Sequence, residues 1–343
     1  MTDKAFNESI NDVGLEHFNN SIPLIRGDFV QSMITALSRR GLDPKPIFKS
    51  SKLDPNLVKQ SKMVAIHPAR QFFKAAYDAM PTETFSYGIQ YAIRHLLVPE
   101  FAKNLPSQFT VRDVLTRFNI LIRDSAPVAS QYLVEEDNEA WFCRAEGPLK
   151  MEEWEEVFTA IYAVELIRNL IDMPAWSPKH VYLRQGPNSS FIKFVPQHIQ
   201  VLYGQDEHKV EVDKAILDKT ISISESANKR DQIEWHSTFS DTVYTALLPY
   251  VHEHELTIEL AAELFDMSTR SFQRKLQLEK ASFRSIKNSL MFDTASQLMT
   301  KGISLTQISA QLGYADISHF SRAFKRFSGL TPKLYQKAII QAI

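Results

Sequence analysis

Apolar positions along the last third of the chain fall into two similar runs. Residues 257–276 overlay residues 305–324 at a shift of 48 without a gap. Leu260, Ala261, Ala262, Leu264, Ser268, Phe272, Arg274 and Leu276 then fall on Ile308, Ser309, Ala310, Leu312, Asp316, Phe320, Arg322 and Phe324. Each run reads as a short helix with an apolar face, a break, and a second helix whose outer face carries Arg, Gln, Ser and His. That is a helix-turn-helix pattern, met twice. The breaks are Phe265-Asp266-Met267 and Gly313-Tyr314-Ala315, ahead of the cap candidates Ser268 and Asp316. Gly permits the left-handed backbone of a tight turn, and Ser and Asp accept the free amides of a helix start. Leu260, Leu264, Phe272, Leu276, Ile308, Leu312, Phe320 and Phe324 are the expected core.

Between the runs, Phe283 to Met299 is apolar at 283, 286, 290, 291, 295, 298 and 299, close to a 3.6-residue period, and predicts one amphipathic helix. Its 17 residues at roughly 1.5 Å each span on the order of 25 Å. With flanking turns, that separates two recognition helices by about one 34 Å turn of DNA. Thr331-Pro332 reads as the cap and first position of a closing helix, where proline has no amide to lose.

The front of the chain changes period. Residues 24–40 predict a helix stopped at Gly41, followed by helices around 54–60, from Pro68 to Met80 and from Phe85 to Leu97. Val128–Val134 and Glu139–Glu146 then read as a hairpin, Trp154–Leu170 as a helix ending before Pro174, and 181–183, 191–195 and 200–203 as strands. The fold class is therefore an α+β N-terminal domain followed by an all-α domain of two helix-turn-helix units joined by a long helix. The boundaries are a tail at 1–20, a domain at 21–212, a connector at 213–236 with no strong apolar period, and a second domain at 237–343.

Total charge is uninformative, with 39 basic against 40 acidic residues, but its distribution is not. Residues 264–343 hold 12 basic and 4 acidic side chains, whereas residues 1–236 hold 27 and 31. Positive charge gathered on the segment that carries the repeat is the electrostatic footprint of a phosphate-backbone binder. A single cysteine, Cys143, rules out an intrachain disulfide and a Cys-rich zinc site, and reads as a small apolar filler on a strand rather than a redox switch. His252-Glu253-His254-Glu255 alternates around its backbone and reads as a solvated loop rather than a metal site. No Gly-rich phosphate loop or nucleophile elbow is present, and no cofactor is implied. The apolar stretches are interrupted by Arg, Asp or Glu and none opens the chain, so the expected location is cytoplasmic.

The stretch Gly313-Tyr314-Ala315-Asp316-Ile317-Ser318-His319-Phe320-Ser321-Arg322-Ala323-Phe324-Lys325-Arg326-Phe327-Ser328-Gly329-Leu330-Thr331-Pro332 closely resembles the signature of AraC/XylS-type transcription regulators. The similarity covers roughly residues 238–340. It implies that two helix-turn-helix units enter successive major-groove segments of promoter DNA. On this resemblance Thr269, Arg270, Gln273 and Arg274 of the first unit, and Ile317, Ser318, His319, Ser321 and Arg322 of the second, are the base-edge candidates. Arg can pair with guanine, Gln with adenine, and Ile with a thymine methyl. Lys325 and Arg326 are expected on phosphate. Lys280 replaces the usual glycine in the loop before the joining helix, and Met291 stands where a basic residue commonly opens that helix.

Arg39-Arg40-Gly41-Leu42-Asp43-Pro44 and Trp176-Ser177-Pro178-Lys179-His180-Val181 make residues 20–210 look like the arabinose-binding-type sensor domain of ornithine-utilisation-regulator-like members. This resemblance implies a small-molecule effector, a homodimer, or both. Arg94, His95, Trp141, Trp176, Tyr182 and Arg184, with Phe142, are candidates for an effector pocket, although aromatics on strands and in a Trp-Ser-Pro turn are more often core, and a helical surface explains Arg94 and His95 equally well. The resulting expectation is a sequence-specific, effector-controlled transcription activator that meets RNA polymerase. The alternatives are a regulator whose front domain only dimerises or binds a protein, and an enzyme or repair protein that uses the tail for delivery to DNA.

Overall fold

The computed structural model describes residues 22–342 apart from 54, 61–62, 123–130, 137, 146–150, 185–197, 223–237 and 253–255. By backbone proximity it divides into two units. One is Ile25–Lys62 with Pro68–Glu234, and the other joins Met1–Leu24 and Met63–His67 to Trp235–Ile343.

The described chain opens with β1 (Leu24–Arg26) and α1 (Gly27–Ser38). The predicted helix over 24–40 thus begins as strand. It stops where expected, because Gly41 sits at φ 98, a backbone that an L side chain strains to adopt. α2 (Pro44–Ser51) starts on Asp43, whose carboxylate accepts the Lys45 amide. Next come α3 (Pro55–Gln60), β2 (Met63–Ala65), α4 (Ile66–Ala79) and α5 (Thr82–Ala92). α5 continues through a π-helical turn at Ile93–Leu97 into α6 (Val98–Ala102), so the expected helix from 85 to 97 is α5 and the π turn, and the helical path runs on past it. α7 (Val111–Thr116) and α8 (Phe118–Ile122) close the helical lobe.

β3 (Gln131–Glu135) and β4 (Ala140–Arg144) form the predicted hairpin, paired antiparallel from Gln131↔Arg144 to Glu135↔Ala140. Residues 128–130 and 146 of those predicted strands lie outside the described residues, as does the predicted strand at 191–195. After α9 (Glu153–Leu170) come β5 (His180–Tyr182), β6 (Gln200–Leu202) and β7 (His208–Glu211), giving a sheet ordered β3-β4-β7-β5-β6. Among the described residues of this sheet, β5 and β6 pair in parallel and the other neighbours pair antiparallel. α9 packs against α5, the π turn and α6 as well as β7, and 13 of its 18 residues are buried. A helix covered on several sides belongs to the interior. That is why its Glu156, Thr159 and Glu165 are buried, which its apolar spacing did not foretell.

The stretch 213–236, expected as a connector, begins as part of the front unit. α10 (Lys214–Leu217) buries Ile216 and Leu217, Ile221 is buried beyond it, and the Val111 amide donates to the Lys219 carbonyl. Residues 223–237 lie outside the described residues.

In the other unit, α11 (Phe239–Leu247) and a 3-10 turn (Leu248–His252) precede α12 (Ile258–Leu264), α13 (Thr269–Leu278) and α14 (Phe283–Thr300). α15 (Leu305–Gln311), α16 (Ile317–Ser328) and α17 (Pro332–Ala342) complete it. α14 is the spine, burying Ile286, Leu290, Ala295 and Met299 on one stripe. Met291 lies in the middle of this helix rather than at its opening. Phe272 contacts the rings of Phe239, Phe265 and Phe283, and Phe320 those of Tyr314 and Phe324. β2 packs on α11, and the Ile66 amide donates to the Pro23 carbonyl. Met63, Val64, Ala65 and Ile66 are all buried. Among the described residues, no helix is long and apolar enough to cross a membrane.

Candidate nucleic-acid interface

Two capped helix pairs build this site. Thr257 and Ser304 cap α12 and α15 by accepting the amides of Leu260 and Gln307. Ser268 and Asp316 cap α13 and α16 through Ser271 and His319, as their sequence positions predict. The gapless overlay needs one correction. The first helices of the two pairs superpose at a shift of 47, from Thr257 to Ser304, and the second helices at 48, from Ser268 to Asp316. The second break is therefore one residue longer.

Turn geometry agrees. Asp266 at φ 54 is the counterpart of Gly313 at φ 74, and the Met267→Ala262 bond that closes one turn is matched by Tyr314→Ser309 in the other. The corrected register also explains why Leu260, expected in the core, is only half-buried, while Phe265 fills the place of Leu312. The other expected core residues, Leu264, Phe272, Leu276, Ile308, Leu312, Phe320 and Phe324, are buried.

The recognition candidates lie on the outward faces of α13 and α16. Arg270, Gln273 and Arg274 are exposed, and Thr269 is half-buried beside its cap. On α16, Ile317, Ser318, His319 and Arg322 are exposed, and so are Lys325 and Arg326 in the last turns; Ser321 is half-buried. Ile317, a large apolar side chain, is 40% exposed. Among the described residues, Arg270, Arg274, Arg322, Lys325 and Arg326 have no ion-pair partner, so their charges are not neutralised within the chain. Hydrogen bonding from the His319 amide holds the Asp316 carboxyl below its usual range. Tyr314 sets its ring edge-on to His319 and Phe320, at 6.0 and 5.4 Å, and so fixes the entry to α16.

Sequence reasoning missed several supports. The Glu279 carboxylate accepts the amides of Phe239 and Ser240 at 2.7 Å each, tying the start of α11 to the end of α13. Lys287 donates to the Leu256 carbonyl at 2.7 Å, so this basic residue of α14 is structural. Lys280 takes φ 55, the conformation for which glycine is the ordinary choice.

In the front unit the six pocket candidates do not form one cluster. Trp141 and Tyr182 meet at 4.9 Å between ring centroids, with the Lys209 ammonium 4.8 and 5.1 Å from their rings. Arg94 is engaged elsewhere. On the π turn it makes a bidentate bond to the Glu165 carboxylate, which also accepts from Arg168 and Gln90. His95 lies against Tyr91, and Trp176 gives its carbonyl to Arg168. Arg184 is exposed, and its amide donates to Glu156. Phe142 faces the interior against Phe118. Cys143 is buried, and burial pushes its thiol up to about 12, which removes it from thiolate chemistry near neutral pH. His252 ends the 3-10 turn, while Glu253, His254 and Glu255 lie outside the described residues.

Paired helices of this geometry, each presenting an exposed basic helix, define a helix-turn-helix domain. Residues 261–338 match the family model of that description, and the match supports the AraC-type reading of the tail. An uncharacterised HTH-type transcriptional regulator of Mycobacterium tuberculosis is 38% identical over 80 residues, 23% of each chain. The HTH-type transcriptional regulator AdiY of Escherichia coli K12 is 24% identical over 176 residues, 50% of this chain and 69% of that protein. A solved DNA-binding transcriptional dual regulator from Escherichia coli K-12 is 26% identical, covering 30% of this chain and 93% of its own, with a TM-score of 0.28. The chain thus spans about a quarter of the length of the first of these relatives. All three are named as transcriptional regulators rather than enzymes.

Proposed function

We propose that the protein is a cytoplasmic, sequence-specific DNA-binding transcription regulator whose tail sets α13 and α16 into two successive major-groove segments. The observation that carries this reading is the pair of capped, outward-facing helices with cationic heads unpaired among the described residues. α14, with 18 residues at roughly 1.5 Å each, is a spacer of about 27 Å. Arg270, Gln273, Arg274, Ile317, Ser318, His319 and Arg322 read base edges. Thr269 and Ser321 stand at the margins of those faces, and Lys325 and Arg326 hold phosphate. The front unit, expected from sequence at 21–212 and comprising Ile25–Lys62 with Pro68–Glu234, senses a small molecule and pairs with a second copy. The tail acts as an activator by placing RNA polymerase. A ligand shifts such an equilibrium only by its differential affinity for the active and inactive arrangements.

Selecting genomic fragments on the full chain at physiological salt, with and without metabolite extract, tests the proposal. One enriched motif containing two segments a helical turn apart is expected, with occupancy altered by extract. Enrichment indifferent to extract favours a front unit that only dimerises. No enrichment in either condition overturns the reading and returns the tail to non-specific delivery.

A further inference from the structure

The two helix-turn-helix units differ in what holds them from outside. Residues 63–67 come from the front of the sequence but belong by proximity to the tail. Met63, Val64, Ala65 and Ile66 are buried, and β2 packs on α11. α11 is in turn tied to α13. Glu279, just past the end of α13, accepts the Phe239 and Ser240 amides, and the rings of Phe239 and Phe272 lie 6.0 Å apart.

His67 adds a contact to the turn itself. Its Nδ1 lies 3.8 Å from Oδ2 of Asp266, with the imidazole 27% and the carboxylate 66% exposed. At that distance the contact is electrostatic rather than a hydrogen bond. Asp266 is the left-handed residue of the turn between α12 and α13, at φ 54. A glycine fits such a backbone without strain, as Gly313 does in the second unit, so the carboxylate is what distinguishes this position. It meets the first turn of α4, which carries no acidic residue of its own and whose free amides favour a negative charge. The second unit has no counterpart to this contact. Among the described residues, no hydrogen bond or ion pair joins 304–330 to a residue before 235.

Resting on the effector-controlled, DNA-binding reading above, we propose that His67 is a positioning residue for the first helix-turn-helix unit, and that the front unit regulates the grip of α13 on DNA while α16 binds independently of it. α4 carries the change, because this one helix has Ile66 and His67 in the tail unit and Pro68–Ala79 in the front unit. Through Asp266, His67 holds the turn that aims α13.

Hydrogen exchange and operator titration on the full chain test this assignment. In His67→Gln, Asp266→Asn and the double variant, peptides covering 262–272 should exchange about two- to fivefold faster, the range that a partly exposed ion pair supports, and those covering 309–320 at the wild-type rate. The double variant should match the singles. His67→Arg should exchange no faster than wild type, because a permanent cation keeps the contact. On the motif recovered by genomic selection, the first three variants should bind about two- to fivefold more weakly. Scrambling one segment of the motif should abolish that difference, and scrambling the other should preserve it. Unchanged exchange in the first turn, faster exchange in both turns, additive losses, or a His67→Arg variant that behaves like His67→Gln overturns the assignment. Unchanged exchange in a chain that still selects a motif sinks this assignment alone, whereas a chain that selects no motif sinks the DNA-binding reading and the regulatory role with it.

Discussion

The two helix-turn-helix units solve one problem with different residues. The second places glycine at its left-handed positions, Gly302 at φ 76, Gly313 at φ 74 and Gly329 at φ 79. The first puts Asp266 at φ 54 and Lys280 at φ 55. The backbone shape is thus the shared requirement, and the side chain placed on it is a local choice with a cost. The first unit has compensating ties, the Glu279 clamp on α11 and the three aromatic rings around Phe272. The second relies on Tyr314, Phe320 and Phe324, and its α16 carries three exposed cations where α13 carries two.

Truncating each central ring tests the comparison most strongly. Phe320→Ala and Phe272→Ala should each cost about 3–5 kcal/mol in denaturant unfolding, as expected for a buried aromatic. A retained midpoint for either removes that ring from the core. Next, Arg322→Ala should weaken specific binding by roughly 1–3 kcal/mol in a titration at fixed salt. Equal loss on operator and random DNA makes Arg322 a phosphate contact instead. Gly313→Ala should destabilise by about 1–2 kcal/mol, the cost of a Cβ in the left-handed region.

The mirror change in the first unit, Lys280→Gly, should raise stability by about 0.5–1 kcal/mol, the strain relieved less the added freedom of the unfolded chain. A fall in stability would show that the lysine side chain holds the loop. The smallest effect concerns acid. Asp316 titrates below its unfolded value, so its contribution is present above the unfolded pKa and fades as pH falls through the folded one. The thermal midpoint of Asp316→Asn should accordingly change less than wild type between pH 5 and pH 3, and parallel curves would contradict the cap.

Much of the tail was legible because helix starts are written in short-range chemistry. Ser268, Asp316 and Thr331 announced their helices, and the period of 283–299 announced α14. The one-residue difference between the breaks was not legible. Apolar side chains at neighbouring positions satisfy both shifts until the hydrogen bonds of the turns choose between them. In the front unit, the hairpin and α9 were plain, but β7 is four residues, His-Lys-Val-Glu, with no apolar run to mark it. The pairing of Arg94 with Glu165 joins residues 71 apart in sequence, and no local pattern foretells it. Among the DNA candidates, exposure follows from helical phase, so most positions were placed outward by sequence alone; Thr269 and Ser321 were not.

β2 carries a consequence for how such a protein can be rearranged. Met63–Ile66 comes from the middle of the front sequence, yet it is buried with the tail, against α11. A genetic fusion that grafts residues 237–343 onto another sensor leaves that strand behind and bares the surface of α11 that it covers. The tail is thus not an interchangeable cassette with a single seam, and a working chimera has to carry residues 63–67 across with it.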